Sequence, residues 1–212
     1  MPDPTLIVPG TQATTLTDNT GTVVYNAVRV GLPLIKESLG GRPKEQWAAL
    51  LSMQHVPGKL EPDKTSLLPG TSITPDFVVQ TPYALFPKYY EEWPYDWRAD
   101  IRWNAKRLLA DLRARRARGD ARANLIGHSQ GGLVIILASK YADLGEFARL
   151  VARVALVGAP LAGTMVAVEA LVVGSSSLGQ EEQAIARAMA RTWPALYQMM
   201  ASWPCVCQVD GT

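Results

Sequence analysis

The sequence is short of cysteine and histidine, and each shortage excludes a class of chemistry. Two cysteines occur in 212 residues, Cys205 and Cys207. They stand one residue apart, so no disulfide framework can be built from them. No second ligand pair completes a zinc site, so the expectation is free thiols and no metal. The only histidines are His55 and His128. Long apolar runs are missing too. No segment reaches the roughly 18 apolar residues that a membrane-spanning helix requires. Met1-Pro2-Asp3-Pro4 leads straight into Leu6-Ile7-Val8, without the basic and then long apolar pattern of a secretory leader. These absences predict a cytoplasmic chain. The net charge of +2 argues neither for nor against an anionic partner, and neither a nucleic-acid partner nor a cofactor is expected.

What is present suits one globular domain. Hydrophobic residues make up 48% and charged residues 19%, enough apolar material for a sizeable core. Leu6-Ile7-Val8, short and stopped by Pro9-Gly10, reads as a buried strand. Residues 11 to 70 read mostly as loop and excursion, with a short helix over Gln46–Met53. Phe77-Val78-Val79 is a further strand candidate. From Ala99 to Arg118 the spacing of Ile101, Ala105, Leu108 and Leu112 predicts an amphipathic helix, ended by Gly119. Arg102, Arg107, Arg113 and Arg116 fall on the other face and read as solvated. Asn124–Gly127 is the next strand, Leu133–Tyr141 a helix opening on Gly131-Gly132, and Val151–Val157 a strong strand. This alternation predicts right-handed crossovers and a mostly parallel sheet, an α/β fold. The last two of these strands carry apolar residues at successive positions, as interior strands do. Thr164–Val173 and Glu181–Arg191 read as helices of an inserted cap, divided by Gly174-Ser175-Ser176-Ser177.

Gly127-His128-Ser129-Gln130-Gly131-Gly132 follows a strand and opens a helix, and it has the pattern G-x-S-x-G. A serine on so sharp a strand-to-helix turn needs neighbours without side chains at Gly127 and Gly131. The helix amides beyond it favour negative charge, which a tetrahedral oxyanion would supply. Ser129 is therefore the candidate nucleophile. The Gln130 amide is one candidate oxyanion donor and the Thr11 amide the other, with Gly10 allowing close approach. His128 is not the expected base, because neighbours across an elbow project apart and the base must come from a separate loop.

Several stretches, in this order, resemble the lecithin:cholesterol acyltransferase-like lipases and phospholipases: Val8-Pro9-Gly10, Pro94-Tyr95-Asp96-Trp97-Arg98, Gly127 to Gly132, Gly158-Ala159-Pro160-Leu161-Ala162-Gly163-Thr164 and Pro194-Ala195-Leu196-Tyr197. The resemblance implies an α/β-hydrolase fold with flanking helices and a lid, acting as a serine esterase, lipase or O-acyltransferase on acyl esters of lipids. It implies Ser129 as nucleophile and the Thr11 and Gln130 amides as oxyanion hole. It also implies a supporting pair, Asp96 and Arg98, near the site, and a transient contact of the lid with a lipid surface.

The family pattern calls for an aspartate and then a histidine after the nucleophile, and no histidine follows Ser129. The expectation is the N-terminal part of a longer enzyme that lacks the C-terminal strands. Residues 1–161 would form the core, 162–192 the lid, and 193–212 the start of the return. A complete but inactive binding protein of the same fold is the alternative, and a working enzyme with a non-standard base, first of all His55, is a third reading.

Overall fold

The computed structural model describes residues 3–18, 23–25, 43–55, 62–64, 67–69, 90–176 and 178–203. Its centre is a four-stranded parallel sheet of β1 (Thr5–Val8), β7 (Tyr90–Glu92), β8 (Ala123–His128) and β9 (Val151–Val157), in the order β7-β1-β8-β9. The chain runs from β1 outward to β7. It then crosses back over β1 to β8 and moves on to β9. The direction of travel thus reverses between β1 and β8, and their carboxyl ends, paired as Val8↔Gly127, frame a crevice there.

Two helices make the crossovers. Helix α2 (Ile101–Ala117) joins β7 to β8, and α3 (Gln130–Tyr141) follows β8. Ile101, Ala105, Leu108 and Leu112 of α2 are buried in one cluster with Leu6, Val8, Leu125, Val134 and Ile135. Asp100 caps α2 by accepting from the Arg102 amide at 2.8 Å. Gly119, at φ 90°, ends it as the spacing predicts. Ile7 lies on the opposite face of the sheet in a small separate cluster with Ala13, Tyr90 and Ile126. Helix α4 (Leu144–Leu150), capped by Asp143, leads into β9.

The excursion after β1 is more structured than loop. It holds β2 (Leu16–Asp18), β3 (Val23–Tyr25) and β6 (Leu67–Pro69) in one small antiparallel sheet, and β4 (Gln54–His55) with β5 (Pro62–Lys64) in another. Helix α1 (Lys44–Leu51) lies between them in the chain and starts two residues before the predicted segment. Phe77–Val79 lies outside the described residues. The sheet strand β7 was not expected, because Tyr90-Glu91-Glu92 carries no apolar run. Its position at the edge of the sheet among the described residues explains that: Glu91 is exposed and pairs with Arg115 of α2 rather than entering the core.

One face assignment is corrected. Arg107 is not on the solvated side of α2. Its guanidinium lies 4.9 Å from the Trp103 ring centre and 5.8 Å from that of Trp93. Burial is the larger influence and lowers its pKa, against the fields of Asp96 and Asp111. Arg102, Arg113 and Arg116 are exposed as expected.

Strand β9 is the outer strand of the sheet among the described residues. Val154, Leu156 and Val157 are 37–43% exposed. Beyond it come α5 (Met165–Val172), capped by Thr164, then α6 (Gln180–Ala190) and α7 (Pro194–Gln198). Ala186, Met189 and Ala190 of α6 are buried, and Lys44 of α1 is paired with Glu181 at its start. Helix α5 buries Ala167 and Leu171 but exposes Met165, Val166 and Val172. Among the described residues no helix is long and apolar enough to cross a membrane.

Candidate active site

Ser129 sits between β8 and α3 with φ 50° and ψ −124°, in a region that non-glycine residues rarely occupy. Such a conformation costs about 1–3 kcal/mol and persists only where its surroundings enforce it. The enforcing contacts can be identified. The Ser129 amide donates to the Val157 carbonyl at 2.9 Å, and the Ser129 carbonyl accepts from the Gly132 amide at 3.0 Å. A methyl group at Gly127 would lie 2.7 Å from Gly132 Cα, and one at Gly131 would strike the Val8 and Pro9 carbonyls. The elbow is therefore wedged against the end of β1 and admits no side chain on either flank. Gly132 is equally restricted, since a methyl group there would lie 2.5 Å from the Ala159 methyl.

The loop after β1 lies against the serine. A methyl group at Gly10 would be 3.0 Å from Ser129 Cβ and 3.5 Å from its Oγ. Two buried side chains hold this loop. The Tyr95 hydroxyl donates to the Pro9 carbonyl at 2.7 Å. Gln130, wholly buried, accepts from the Thr11 hydroxyl at 2.7 Å and donates from Nε2 to the Trp97 carbonyl at 2.9 Å. The sequence pointed to the Gln130 amide and not to its side chain. The available signal was a glutamine at the start of a core helix, where burial obliges a polar side chain to find partners. Gln12 follows in the same loop at φ 64°, a second strained residue that the sequence did not disclose.

The Tyr95-Asp96-Trp97-Arg98 stretch ties together several separate segments. Tyr95 holds the β1 loop. Trp97 donates from Nε1 to the Thr14 carbonyl at 3.2 Å and meets the Tyr25 and Trp193 rings edge-on at 5.1 Å each. Asp96 and Arg98, each 1% exposed, form a two-pronged pair at 2.9 and 2.7 Å. Arg98 also donates from Nη1 to the Leu51 carbonyl at 3.1 Å, a carbonyl shared with Trp193 Nε1 at 2.7 Å. Asn104 donates to the Asp96 carbonyl. Within this network Asp96 and Arg98 act on the end of α1 and the start of α2, and their charges are satisfied in place.

His128 is half-buried, and burial lowers its pKa. Its Nδ1 would lie 3.2 Å from a methyl group at Gly10. His55 belongs to β4, in the separate two-stranded sheet. Among the described residues no group of three or more His, Cys, Asp or Glu is arranged to hold a metal ion. Cys205, Cys207 and Asp210 lie outside the described residues.

A parallel sheet with a positive-φ serine at the carboxyl end of one strand, a helix starting at the next residue, and a glycine loop from the adjacent strand beside it has the form of the α/β-hydrolase class. The chain belongs to the lecithin:cholesterol acyltransferase family, whose model matches residues 91–208. That match runs from within β7 past the end of α7 and includes Asp96, Arg98 and Ser129, but not the Pro9–Thr11 loop. The family is one of acyltransferase and lipase-type enzymes that act on lipid acyl esters. No curated protein matches the chain.

Proposed function

We propose that the protein forms an acyl-enzyme on Ser129 during hydrolysis or transfer of a lipid acyl ester. The observation that carries this reading is the strained serine at the start of α3, facing Gly10. A binding module has no physical use for that strain. In the reaction Ser129 Oγ attacks the acyl carbon and loses its proton to a base. The carbonyl becomes an oxyanion, held by the Thr11 and Gln130 amides. As the tetrahedral intermediate collapses, the ester C–O bond breaks and the alcohol leaves with a proton. Water attacking the acyl-enzyme completes hydrolysis, and an alcohol attacking it completes transfer. Tyr95 holds the loop beside Ser129, and the Asp96–Arg98 pair supports the stretch that carries Tyr95.

The proposal assigns the base role to neither histidine. His128 shares the elbow with the serine, and His55 stands on a different sheet. The test therefore supplies the base from outside. The purified chain is incubated with a short-chain activated ester, with and without imidazole, beside Ser129→Ala. The expected result is little turnover without imidazole, an imidazole-dependent increment that Ser129→Ala loses, and an acyl adduct on Ser129 by mass spectrometry. No adduct, and identical rates for the two proteins, refutes the nucleophile. Fast Ser129-dependent turnover without imidazole would place a working base in this chain, with His55→Ala the next variant.

The lid reading of residues 162–192 is part of the same proposal and centres on α5. Val166 at 70% exposure and Val172 at 58% offer apolar surface that a lipid interface would cover. Hydrogen exchange is expected to slow in Met165–Val172 on adding phospholipid vesicles. Unchanged exchange in α5 counts against it.

A further inference from the structure

A second feature lies apart from Ser129, in an open groove of about 460 Å³ where the start of α2 meets the turn between α6 and α7. Its walls include Met53, Pro194 and Tyr197, and its charged groups are Asp100, Arg102 and Arg191. The carboxylate and side-chain amide acceptors on these walls are already used. Asp100 Oδ1 accepts from the Arg102 amide at 2.8 Å and from Arg102 Nε at 3.0 Å, and Oδ2 accepts from Arg102 Nη2 at 2.6 Å. Gln198 Oε1 accepts from the Ile101 amide at 2.7 Å. The two hydroxyls also donate to backbone, Thr192 to Met189 and Tyr197 to Arg191.

The unused valences are cationic donors. Among the described residues Arg191 engages only Nε, on the Leu171 carbonyl at 2.9 Å, which leaves both terminal nitrogens open. Arg102, whose side chain is 51% exposed, keeps Nη1. Two guanidinium groups and one carboxylate line the groove, so it carries one net positive charge beside an apolar wall. A guanidinium fork matches the oxygens of a phosphate group, and the apolar wall suits the organic remainder of an ester.

We propose that this groove is an anion site for the phosphate of a phosphate ester, from a lipid headgroup or free in solution. Arg191 gives the site a structural consequence. Its Nε edge holds one of the last carbonyls of α5, and Arg187 donates to the next, from Val172, at 3.4 Å. A phosphate on the terminal nitrogens fixes the guanidinium that holds the end of α5. Occupancy of the groove therefore tightens α5. None of this depends on Ser129, and the site is expected to bind equally in Ser129→Ala.

The test titrates the full chain with inorganic phosphate at constant ionic strength and measures affinity by calorimetry. Hydrogen exchange of Met165–Val172 is followed in the same samples. Phosphate is expected to bind and to slow exchange in α5. Arg191→Gln and Arg102→Gln should each weaken binding by roughly tenfold, the scale of a lost charge-assisted hydrogen bond. Arg116→Gln removes the same charge outside the groove and should leave binding unchanged. A parallel arm compares vesicles containing phosphatidic acid with vesicles of phosphatidylcholine alone. Arg191-dependent binding to phosphatidic acid vesicles assigns the site to a lipid phosphate, and binding of inorganic phosphate without it assigns the site to a free one. Arg191→Lys keeps the charge and covers the case in which Arg191→Gln does not fold. Absence of phosphate binding, or equal losses in Arg116→Gln and Arg191→Gln, overturns the proposal.

Discussion

The Gln130 side chain accepts from the Thr11 hydroxyl at 2.7 Å and so joins the residue after the candidate nucleophile to the loop after β1. The same side chain reaches the Trp97 carbonyl, so one buried amide holds three segments remote in sequence. Gln130→Met keeps the volume and removes both bonds, leaving the Trp97 carbonyl without this donor. The expected loss is about 1–3 kcal/mol by denaturant unfolding. Thr11→Val should cost less, and the double variant should cost less than the sum. Strict additivity would show that the two side chains do not act together.

The Asp96–Arg98 pair gives a second prediction. Breaking a buried pair strands a charge, so Asp96→Ala and Arg98→Ala should each destabilise by about 3–5 kcal/mol. Arg98→Lys should not restore stability, because one ammonium cannot make the two-pronged contact and also reach the Leu51 carbonyl. Thermal unfolding of the three variants checks this, and a wild-type midpoint for Arg98→Lys would contradict it.

Gly132 and Ala159 form a steric couple. Gly132→Ala would place two methyl carbons 2.5 Å apart, although alanine is the better helix former by about 1 kcal/mol. The single variant should be destabilised, and adding Ala159→Gly should recover most of the loss. If the double variant is no better than the single one, the clash lies elsewhere.

Asp100 predicts a pH dependence. Burial works to raise its pKa, but hydrogen bonds from Arg102, Gln198 and the Arg102 amide outweigh it, and the net direction is down. A carboxylate with a lowered folded pKa contributes stability above its unfolded value of about 3.9, lost as pH falls through the folded one. Asp100→Asn keeps a capping oxygen and loses the ion pair. With Arg102 half exposed, the cost at neutral pH should be under about 1 kcal/mol. The gap between the two proteins should close as pH drops below about 4. A gap that stays constant to lower pH would remove the charge from the explanation.

Among the described residues strand β9 is the outer edge of the sheet, and it presents Val154, Leu156 and Val157 there. Exposed apolar edge strands pair with other chains, and a lysine on the edge opposes that. Val154→Lys is expected to lower self-association in sedimentation without lowering the unfolding midpoint. Unchanged association would locate the sticky surface elsewhere.

The sequence by itself determined the elements whose signals are local. The apolar spacing of Ile101, Ala105, Leu108 and Leu112 marks a helix face, and the run Val151–Val157 marks a strand, because each pattern needs only neighbours along the chain. The glycines flanking Ser129 announced the elbow, since a sharp turn excludes side chains whatever surrounds it. Tertiary structure decided the rest. Tyr90–Glu92 became a strand only because β1 offered it a partner. Arg107 left the solvated face because Trp93 and Trp103 gave its guanidinium two rings to lie against. The strain at Gln12, the reach of Gln130 to Thr11 and Trp97, and the reversal between β1 and β8 depend on contacts between segments remote in the chain. No periodicity encodes such contacts, because they form only when separate segments compete for the same buried hydrogen bonds and the same space.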